Sequence, residues 1–201
     1  IFVSRLLSIK NYLFEKLEEK GLKSIFKNVE QPLEEILFAM ECAGMPLDSE
    51  GLLVLDRDLS KELETYTQEI YDLAGCEFNI KSPKQLSDVL YHRLGIKPVD
   101  KAKSTKAEVL EALEGSHEII SKILAFRATE KMLSTYVRAL PRQIDLGTHR
   151  VHPTFNQVGT VTGRLSCQDP NLQNIPVRYE RGKSLREAFR FTKENDYFLA
   201  A

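Results

Sequence analysis

Apolar residues recur at helical spacing from the beginning of the chain to Leu140. Within residues 1–20 they share one face of a predicted helix, which Gly21 ends. The members of this face are Phe2, Leu6, Ile9, Leu13 and Leu17. The segment EQPLEEILFAMECA predicts a second helix, because Pro32 suits a first turn and Gly44 suits the position after a last turn.

Two more helices are predicted in the middle of the chain. Asp48 is a typical N-cap, and a long helical pattern runs from it to Gly75. Ser82 and Pro83 then open a short helix that Gly95 ends. Each boundary combines a capping or turn-forming residue with a change in the hydrophobic pattern.

The last two helices of this region have equally clear boundaries. Thr105 and Glu108 have the spacing of a capping box, which predicts the start of a short helix ending near Gly115. The segment SHEIISKILAFRATEKMLSTYVRAL, residues 116–140, predicts a longer helix that Pro141 stops.

The pattern changes after Pro141. The segment IDLGTHRVHPTFNQVGTVTGRLS alternates β-branched, aromatic and polar residues around a turn at 146–148, which predicts strands or a hairpin. GKSLREAFRF predicts a short helix, and DYFLAA predicts the beginning of a buried strand. We therefore predict a mainly α fold with a small β part, in which most of the chain to Leu140 is helical and residues 141–201 begin an α+β region.

Composition narrows the class of protein. The 201 residues are 42% apolar and 28% charged, which fits one large or two small soluble domains. No apolar run approaches the ~20 residues that span a bilayer, and charges interrupt the first residues too early for a signal peptide. The chain begins at Ile1 rather than Met, so we expect that it was cut from a longer protein.

Cysteine usage points to a reducing compartment. The three cysteines, Cys42, Cys76 and Cys167, are odd in number and lack C-x-x-C spacing. This pattern argues against both a disulfide framework and a zinc site.

Charge is distributed unevenly although the net charge is only −1. Residues 1–80 carry 8 basic and 16 acidic side chains, whereas residues 81–201 carry 20 basic and 13 acidic ones. Such asymmetry indicates a polyanion-binding face in the C-terminal part. A chance unevenness of solvated charge explains the counts equally well.

One stripe of the predicted helix 116–140 suits a phosphate backbone. Its members, spaced i, i+4, i+7 and i+8 on one helix face, are Arg127, Lys131, Ser134 and Thr135. Cations supply affinity for phosphates, and hydroxyls help to fix register. An ordinary solvated face is the simpler interpretation of the stripe when it is considered alone.

Two loops place hydroxyls and lysines before predicted helices. The first contains Ser82 and Lys84, and the second runs KAKST from Lys101 through Ser104 to Thr105. Backbone N–H groups at a helix N-terminus favour anions, so either loop could meet a phosphate. Considered alone, each loop is more simply a helix cap.

The stretch TVTGRLSCQDPNLQNIPVR, residues 160–178, is polar and irregular. Arginines and side-chain amides can donate to the acceptors that line a duplex minor groove in every base pair. Prolines stiffen the stretch, and Gly163 lets the backbone pass close to a ligand. A polar surface loop is the alternative.

This stretch resembles the palm segment of the family A DNA polymerases of bacteria, with T-G-R-L-S and D-P-N-L-Q-N-I-P-V-R both intact. Other segments resemble the family in the same order: FNIKSPKQLSDVLYHRLGIKP and KSTKAEVLEAL the thumb tip, FRATEKMLSTY the returning thumb helix, and HRVHPTFNQ the start of the palm. The resemblance covers about residues 28–201. It implies a thumb at 28–140, the beginning of a palm at 141–201, and in residues 1–27 the tail of a preceding exonuclease-like domain or a connecting helix.

The resemblance also implies roles for individual residues. Arg164 would lie in the minor groove at the primer-terminal pair, with Asn171, Gln173 and Asn174 close by, and Arg178 near the incoming nucleotide. The thumb contacts it implies are those of the stripe and the two loops: Arg127, Lys131, Ser134, Thr135, Ser82, Lys84, Ser104 and Thr105.

The activity implied by the resemblance is template-directed DNA synthesis in replication and repair. The partners would be primer–template duplex DNA and deoxynucleoside triphosphates, with two magnesium ions in the intact enzyme. The sequence stops at Ala201, where the family continues with its first metal-binding aspartate. We therefore expect no catalytic or metal-binding residue in this chain, no primer extension by it alone, and a cytoplasmic, nucleoid-associated location for the parent protein.

Three positions depart from the family pattern. Val161 replaces an alanine and Cys167 a serine, and neither change removes a DNA-contacting donor. Leu133 stands where a lysine often precedes S-T-Y, which weakens one phosphate contact.

Two other functions remain open. One is a non-catalytic helical DNA-binding module, and the other is a helical scaffold that binds proteins through the acidic residues 31–77.

Overall fold

The computed structural model describes residues 2–99, 102–175 and 180–190. The chain divides into two compact units, one formed by Ile1–Leu47 with Gln143–Pro176 and the other by Asp48–Arg142 with Val177–Ala201. The predicted mainly α class with a small antiparallel β part is confirmed. The division at residues 27 and 140 stays a prediction.

The first unit begins with helices. Helix α1 spans Phe2–Glu19, and a helical stretch made of α2 (Lys23–Ile25), a π-helical segment (Phe26–Glu30) and α3 (Gln31–Ala43) follows it. Gly21 and Gly44, both with positive φ, end these two stretches as predicted. Much of the apolar face predicted for α1 is exposed in the structure: Leu6, Ile9 and Leu13 are each more than half exposed, whereas Leu17 is half-buried.

Two short antiparallel strand pairs complete this unit. Strand β1 (Met45–Pro46) pairs with β2 (Arg150–Val151), and β3 (Thr154–Asn156) pairs with β4 (Ser166–Gln168). The β3–β4 pair confirms the predicted hairpin, whereas β1 was not predicted. The turn predicted at 146–148 is confirmed, because the Asp145 carboxylate accepts the Gly147 and Thr148 backbone N–H groups at 2.9 and 2.8 Å.

The second unit is built around a helix pair. Helix α4 (Ser49–Ala74) packs chiefly against α7 (Glu118–Met132), and α5 (Pro83–Asp88), a π-helical segment (Val89–Arg93) and α6 (Ala107–Ala112) lie in sequence between them. Helix α8 (Glu180–Glu187) confirms the helix predicted there. The main hydrophobic core of this second unit includes seven fully buried residues: Ile70, Leu86, Leu90, Leu110, Ile119, Ile120 and Ile123.

Two boundaries differ from the sequence prediction. The prediction of a capping box at Thr105 is wrong, because α6 begins after Lys106 and has no side-chain cap. The single helix to Leu140 is also wrong: α7 ends at Met132, a π-helical segment (Leu133–Val137) continues it, and a 3-10 turn (Leu140–Gln143) runs through Pro141. A 3-10 turn accommodates proline because its first residues need no intrahelical donor.

The strand predicted from DYFLAA lies outside the described residues. Within the described part of the chain, no helix is long and apolar enough to cross a membrane.

Candidate nucleic-acid interface

The predicted phosphate-facing stripe lies on α7 and the π-helical segment that follows it. We call Arg127, Lys131, Ser134 and Thr135 the helical face. Lys131, Ser134 and Thr135 are exposed, while Arg127 is half-buried. The structure therefore presents one ammonium group and two hydroxyl-bearing side chains from neighbouring turns to solvent.

The two cations of the helical face differ in their surroundings. Arg127 Nη1 donates to the Thr105 carbonyl, and burial lowers the pKa of the guanidinium from its ordinary value. The Lys131 side chain makes no hydrogen bond or ion pair with any residue that the structure describes. The ammonium group of Lys131 is therefore available to a phosphate without first breaking an internal contact.

Two neighbouring side chains show how the π-helical segment is held. Leu133 is 2% exposed and belongs to the core, so the lysine that the family often has here is replaced by an apolar core contact. Ser134 Oγ donates to the Glu130 carbonyl at 2.8 Å. Its oxygen lone pairs stay free to accept, while the proton is used within the helix.

The two loops predicted as phosphate contacts are ordered by local bonds. Ser82 Oγ accepts the Gln85 N–H at 3.4 Å, which confirms its predicted capping role, and Lys84 is exposed. Ser104 is half-buried, and its Oγ accepts the Lys106 N–H at 3.3 Å. Thr105 is only 7% exposed.

A second polar surface belongs to the other unit and connects β3 to β4. This connection, residues 157–165, carries Arg164 at an exposed position with no hydrogen bond or ion pair from its guanidinium to the described residues. Thr160 Oγ1 donates to the Arg164 carbonyl at 2.7 Å, and Gly163 has φ +74°. The arginine backbone is thus fixed while its side chain is free.

The base of this connection is close-packed. A Cβ on Gly159 would lie 2.2 Å from Ser166 Oγ and 3.3 Å from the Asn156 side chain, so a larger residue here would require the Ser166 side chain to move. Gln157 Nε2 donates to the carbonyl and carboxylate of Glu30, each at 3.0 Å.

The amides predicted to contact DNA follow β4. Asn171, Gln173 and Asn174 are exposed, and Asn171 Oδ1 accepts the Gln173 N–H at 3.2 Å. Arg164 and these three amides thus belong to one unit, on either side of β4. Arg178 lies outside the described residues.

The departures from the family pattern are accommodated locally. Val161 is fully exposed, so the extra methyl groups meet solvent rather than protein. Cys167 is 3% exposed, and its Sγ donates to the Pro170 carbonyl at 3.3 Å. All three cysteines are free thiols.

The chemistry of the described residues does not suit a divalent metal ion. In the parts of the chain that the structure describes, no group of three or more His, Cys, Asp or Glu side chains is arranged to hold one. The Asp145 carboxylate accepts backbone N–H groups of its own turn, and these bonds, above all the one from Thr148, lower its pKa. The two magnesium ions implied by the resemblance therefore have no ligand set among the described residues.

Sequence reasoning missed the residues that brace the second surface. Glu41 Oε1 accepts the Phe155 N–H at 2.7 Å, and the Glu41 carbonyl lies 2.7 Å from His152 Nδ1. Arg150 Nη1 donates to the Ala43 carbonyl at 2.9 Å. These partners are more than 100 residues apart in sequence. The one sequence signal near this contact was Gly44, where a Cβ would lie 2.6 Å from the His152 ring.

Comparison with known proteins decides the family. The sequence profile of DNA polymerase family A matches residues 49–201, about three quarters of the chain. The chain belongs to DNA polymerase family A. Both polar surfaces lie largely within the matched residues.

Similar proteins include several bacterial polymerases. DNA polymerase I of Bacillus subtilis is 41% identical over 197 residues, which is 96% of this chain and 22% of that protein. The thermostable DNA polymerase I of Thermus filiformis is 45% identical over 194 residues, 94% of this chain and 23% of that protein. The chain thus spans less than a quarter of the curated relatives it matches.

A solved polymerase structure has the same fold. The POL domain of Pol1 from M. smegmatis, in complex with DNA primer-template and dNTP, superposes with a TM-score of 0.83 at 33% sequence identity. The match covers 91% of this chain and 33% of that one.

Proposed function

We propose that this chain is the part of a bacterial DNA polymerase I that grips primer–template duplex DNA. The intact protein would be a DNA-directed DNA polymerase that extends a primer with deoxynucleoside triphosphates in replication and repair. Family membership and the DNA-bound M. smegmatis relative support this proposal. A cytoplasmic, nucleoid-associated location follows from the same role.

The observation that carries the proposal is the exposed connection between β3 and β4. In a family A chain, the intact T-G-R-L-S sequence forms a braced backbone from which the Arg164 guanidinium extends unpaired. A donor of this kind can approach purine N3 and pyrimidine O2 atoms, which occupy similar minor-groove positions in every base pair. The shape of the primer-terminal base pair, rather than its sequence, would therefore determine the minor-groove hydrogen bonds made by Arg164, Asn171, Gln173 and Asn174.

The helical face would supply affinity that does not depend on sequence. Lys131 would neutralise a backbone phosphate, and Ser134 and Thr135 would contact neighbouring phosphate oxygens. Phosphate contacts at the tip of the thumb would come from Ser82, Lys84, Ser104 and Thr105. Arg127 would add positive potential at the base of the helical face. Arg178 is proposed to lie near the incoming nucleotide.

Members of family A generally use divalent metal ions. We propose two magnesium ions for the intact enzyme, held by residues other than those described here. When bound, they would stabilise the charge that develops on the attacking and leaving oxygens.

Replacement of Arg164 tests the proposal. We expect Arg164→Ala to weaken binding of a fluorescein-labelled primer–template by about tenfold, because a bidentate donor contact to bases contributes about 1–3 kcal/mol. Fluorescence anisotropy with the purified chain measures the dissociation constant. Arg5→Ala removes an equal charge from an exposed site on α1 and serves as the matched control. Equal effects of the two variants would contradict the assigned role of Arg164, and absence of DNA binding by the unmodified chain would contradict the proposed function.

A further inference from the structure

Side-chain hydrogen bonds to three consecutive backbone carbonyls hold the loop before α6. Ser87 Oγ donates to the Lys103 carbonyl at 3.1 Å, and Tyr91 Oη donates to the Ser104 carbonyl at 2.7 Å. Arg127 Nη1 donates to the Thr105 carbonyl. We call residues 103–105 the locked segment, because each of its carbonyls is held by a side chain from a different turn of helix.

Burial strengthens this arrangement. Tyr91 and Thr105 are each 7% exposed, and the bonds to the Ser104 and Thr105 carbonyls are partly buried. A buried carbonyl that loses its donor also loses more free energy than an exposed one, which can bond to water instead. Replacing one donor should therefore loosen the segment measurably.

The backbone of the locked segment is itself unusual. Lys103 has φ +51°, a left-handed conformation that non-glycine residues adopt rarely and only when surrounding contacts hold them there. Its Nζ lies 3.1 Å from His92 Nε2. The segment is thus held from both its carbonyl side and its side-chain side.

The locked segment carries groups that the proposed function assigns to DNA. These groups are the half-buried Ser104 and the buried Thr105; the exposed Lys106, which the proposed function does not assign to DNA, follows the segment directly. Lys106 N–H donates to Ser104 Oγ, so the two residues move together. A loop that is already ordered loses less conformational entropy when it meets a phosphate backbone, and it therefore binds more tightly.

We propose that Tyr91 is a positioning residue for DNA binding. Its buried hydroxyl, together with Ser87 and Arg127, holds the locked segment in the one conformation in which Ser104 and Lys106 reach the DNA backbone. Tyr91 acts through the Ser104 carbonyl and does not touch the nucleic acid. This inference rests on the proposed function, because it requires that the chain bind duplex DNA.

Tyr91→Phe removes the hydroxyl and keeps the ring that packs in the core. In anisotropy titrations of the 201-residue chain with primer–template, we expect binding to weaken by about 2–10-fold, the range for loss of one buried hydrogen bond. The slope of log affinity against log salt should stay unchanged, because no cation is lost. Backbone amide hydrogen exchange should accelerate at residues 104–106 and not elsewhere in the unit.

Tyr66→Phe is the matched control. Tyr66 is a half-buried tyrosine of the same unit whose hydroxyl donates to Glu62 Oε1 at 2.8 Å within α4. We expect this variant to bind DNA like the unmodified chain and to leave exchange at residues 104–106 unaltered. Equal weakening by both variants would overturn the inference, because a general loss of stability would then explain it.

The remaining outcomes separate the two proposals. If the unmodified chain binds DNA and Tyr91→Phe binds it equally well, the inference is wrong and the proposed function stands. If the unmodified chain does not bind DNA, the proposed function fails first. Should circular dichroism show that Tyr91→Phe is unfolded, Ser87→Ala removes the neighbouring bond, and unchanged affinity in that variant would overturn the inference.

Discussion

At the scale of single residues, Asp48 shows how one carboxylate can organise the start of a long helix. Its Oδ1 accepts the Gly51 N–H at 3.0 Å, its backbone N–H donates to the Ala188 carbonyl at 2.7 Å, and its Oδ2 pairs with Arg190. The hydrogen bond from Gly51, with a smaller contribution from Arg190, lowers the pKa of this carboxyl group. The residue thus links the first turn of α4 to the segment after α8.

The lowered pKa gives a testable pH dependence. Because the folded-state pKa lies below the unfolded value of about 3.9, the charged carboxylate contributes its full stability above that value and loses it as the pH falls through the folded-state pKa. We expect Asp48→Ala to lower the free energy of unfolding by about 1 kcal/mol at pH 7, measured by urea denaturation. Asp48→Asn keeps a capping side chain without the charge. It should lose less stability at pH 7 and show a smaller change between pH 7 and pH 3; an unaltered pH dependence would contradict this account.

At the scale of elements, the segment from Glu118 to Gln143 changes its helical geometry twice. It begins as an α-helix, passes through a π-helical turn at 133–137 and ends as a 3-10 turn. The Arg138 N–H donates to the Leu133 carbonyl at 2.9 Å, five residues back, which is the π-helical bond. Arg138 also pairs with Asp56 on α4 at 2.8 Å, and its hydrogen bond is the main cause that lowers the pKa of Asp56.

Much of the helical part of the chain could be predicted from sequence and some could not. Gly75, Ser82 and Gly95 marked helix boundaries correctly, because positive φ and side-chain capping are local properties of a residue. The π-helical turn, whose residues Leu133, Tyr136 and Val137 are buried, has no comparable local signal in the sequence. Thr105 resembled a cap in sequence, yet α6 begins at Ala107, which places Lys106 rather than Thr105 at the N-cap position.

The packing of α7 against its neighbours gives a prediction for this element. Ile120 is 0% exposed in the core, so Ile120→Ala should lower the free energy of unfolding by about 2–5 kcal/mol through the cavity it leaves. The adjacent Ser121 is exposed, and Ser121→Ala should change stability by less than about 0.5 kcal/mol. Urea denaturation followed by circular dichroism compares the two variants. Similar losses for both would show that α7 is not packed as described.

At the scale of the whole molecule, residues distant in sequence build each unit. Glu41 braces β3 from 114 residues away, and Gln157 reaches Glu30 from 127 residues away. Hydrophobic periodicity reports neighbours within a few residues, so it could not predict these contacts or strand β1. The polar connection carrying Arg164 was predictable because its composition excluded it from a core. The inward bond of Arg127 was not predictable, because helical spacing alone placed it with the exposed Lys131.

The central claim is that this family A chain binds duplex DNA through contacts to the phosphates of the DNA backbone. Its most direct test is the affinity for a primer–template duplex measured by anisotropy across a range of salt concentrations. We predict that log affinity falls linearly with log salt, and that Lys131→Ala reduces the slope by about 1.

Lys122→Ala is the control for that measurement. Lys122 is on the same helix but already pairs with Glu69 at 2.8 Å, so its loss should leave the slope unchanged. A linear decrease of log affinity with log salt, with a smaller slope in Lys131→Ala and an unchanged slope in Lys122→Ala, would support the account. An affinity that does not depend on salt, or no DNA binding even at low salt, would contradict it.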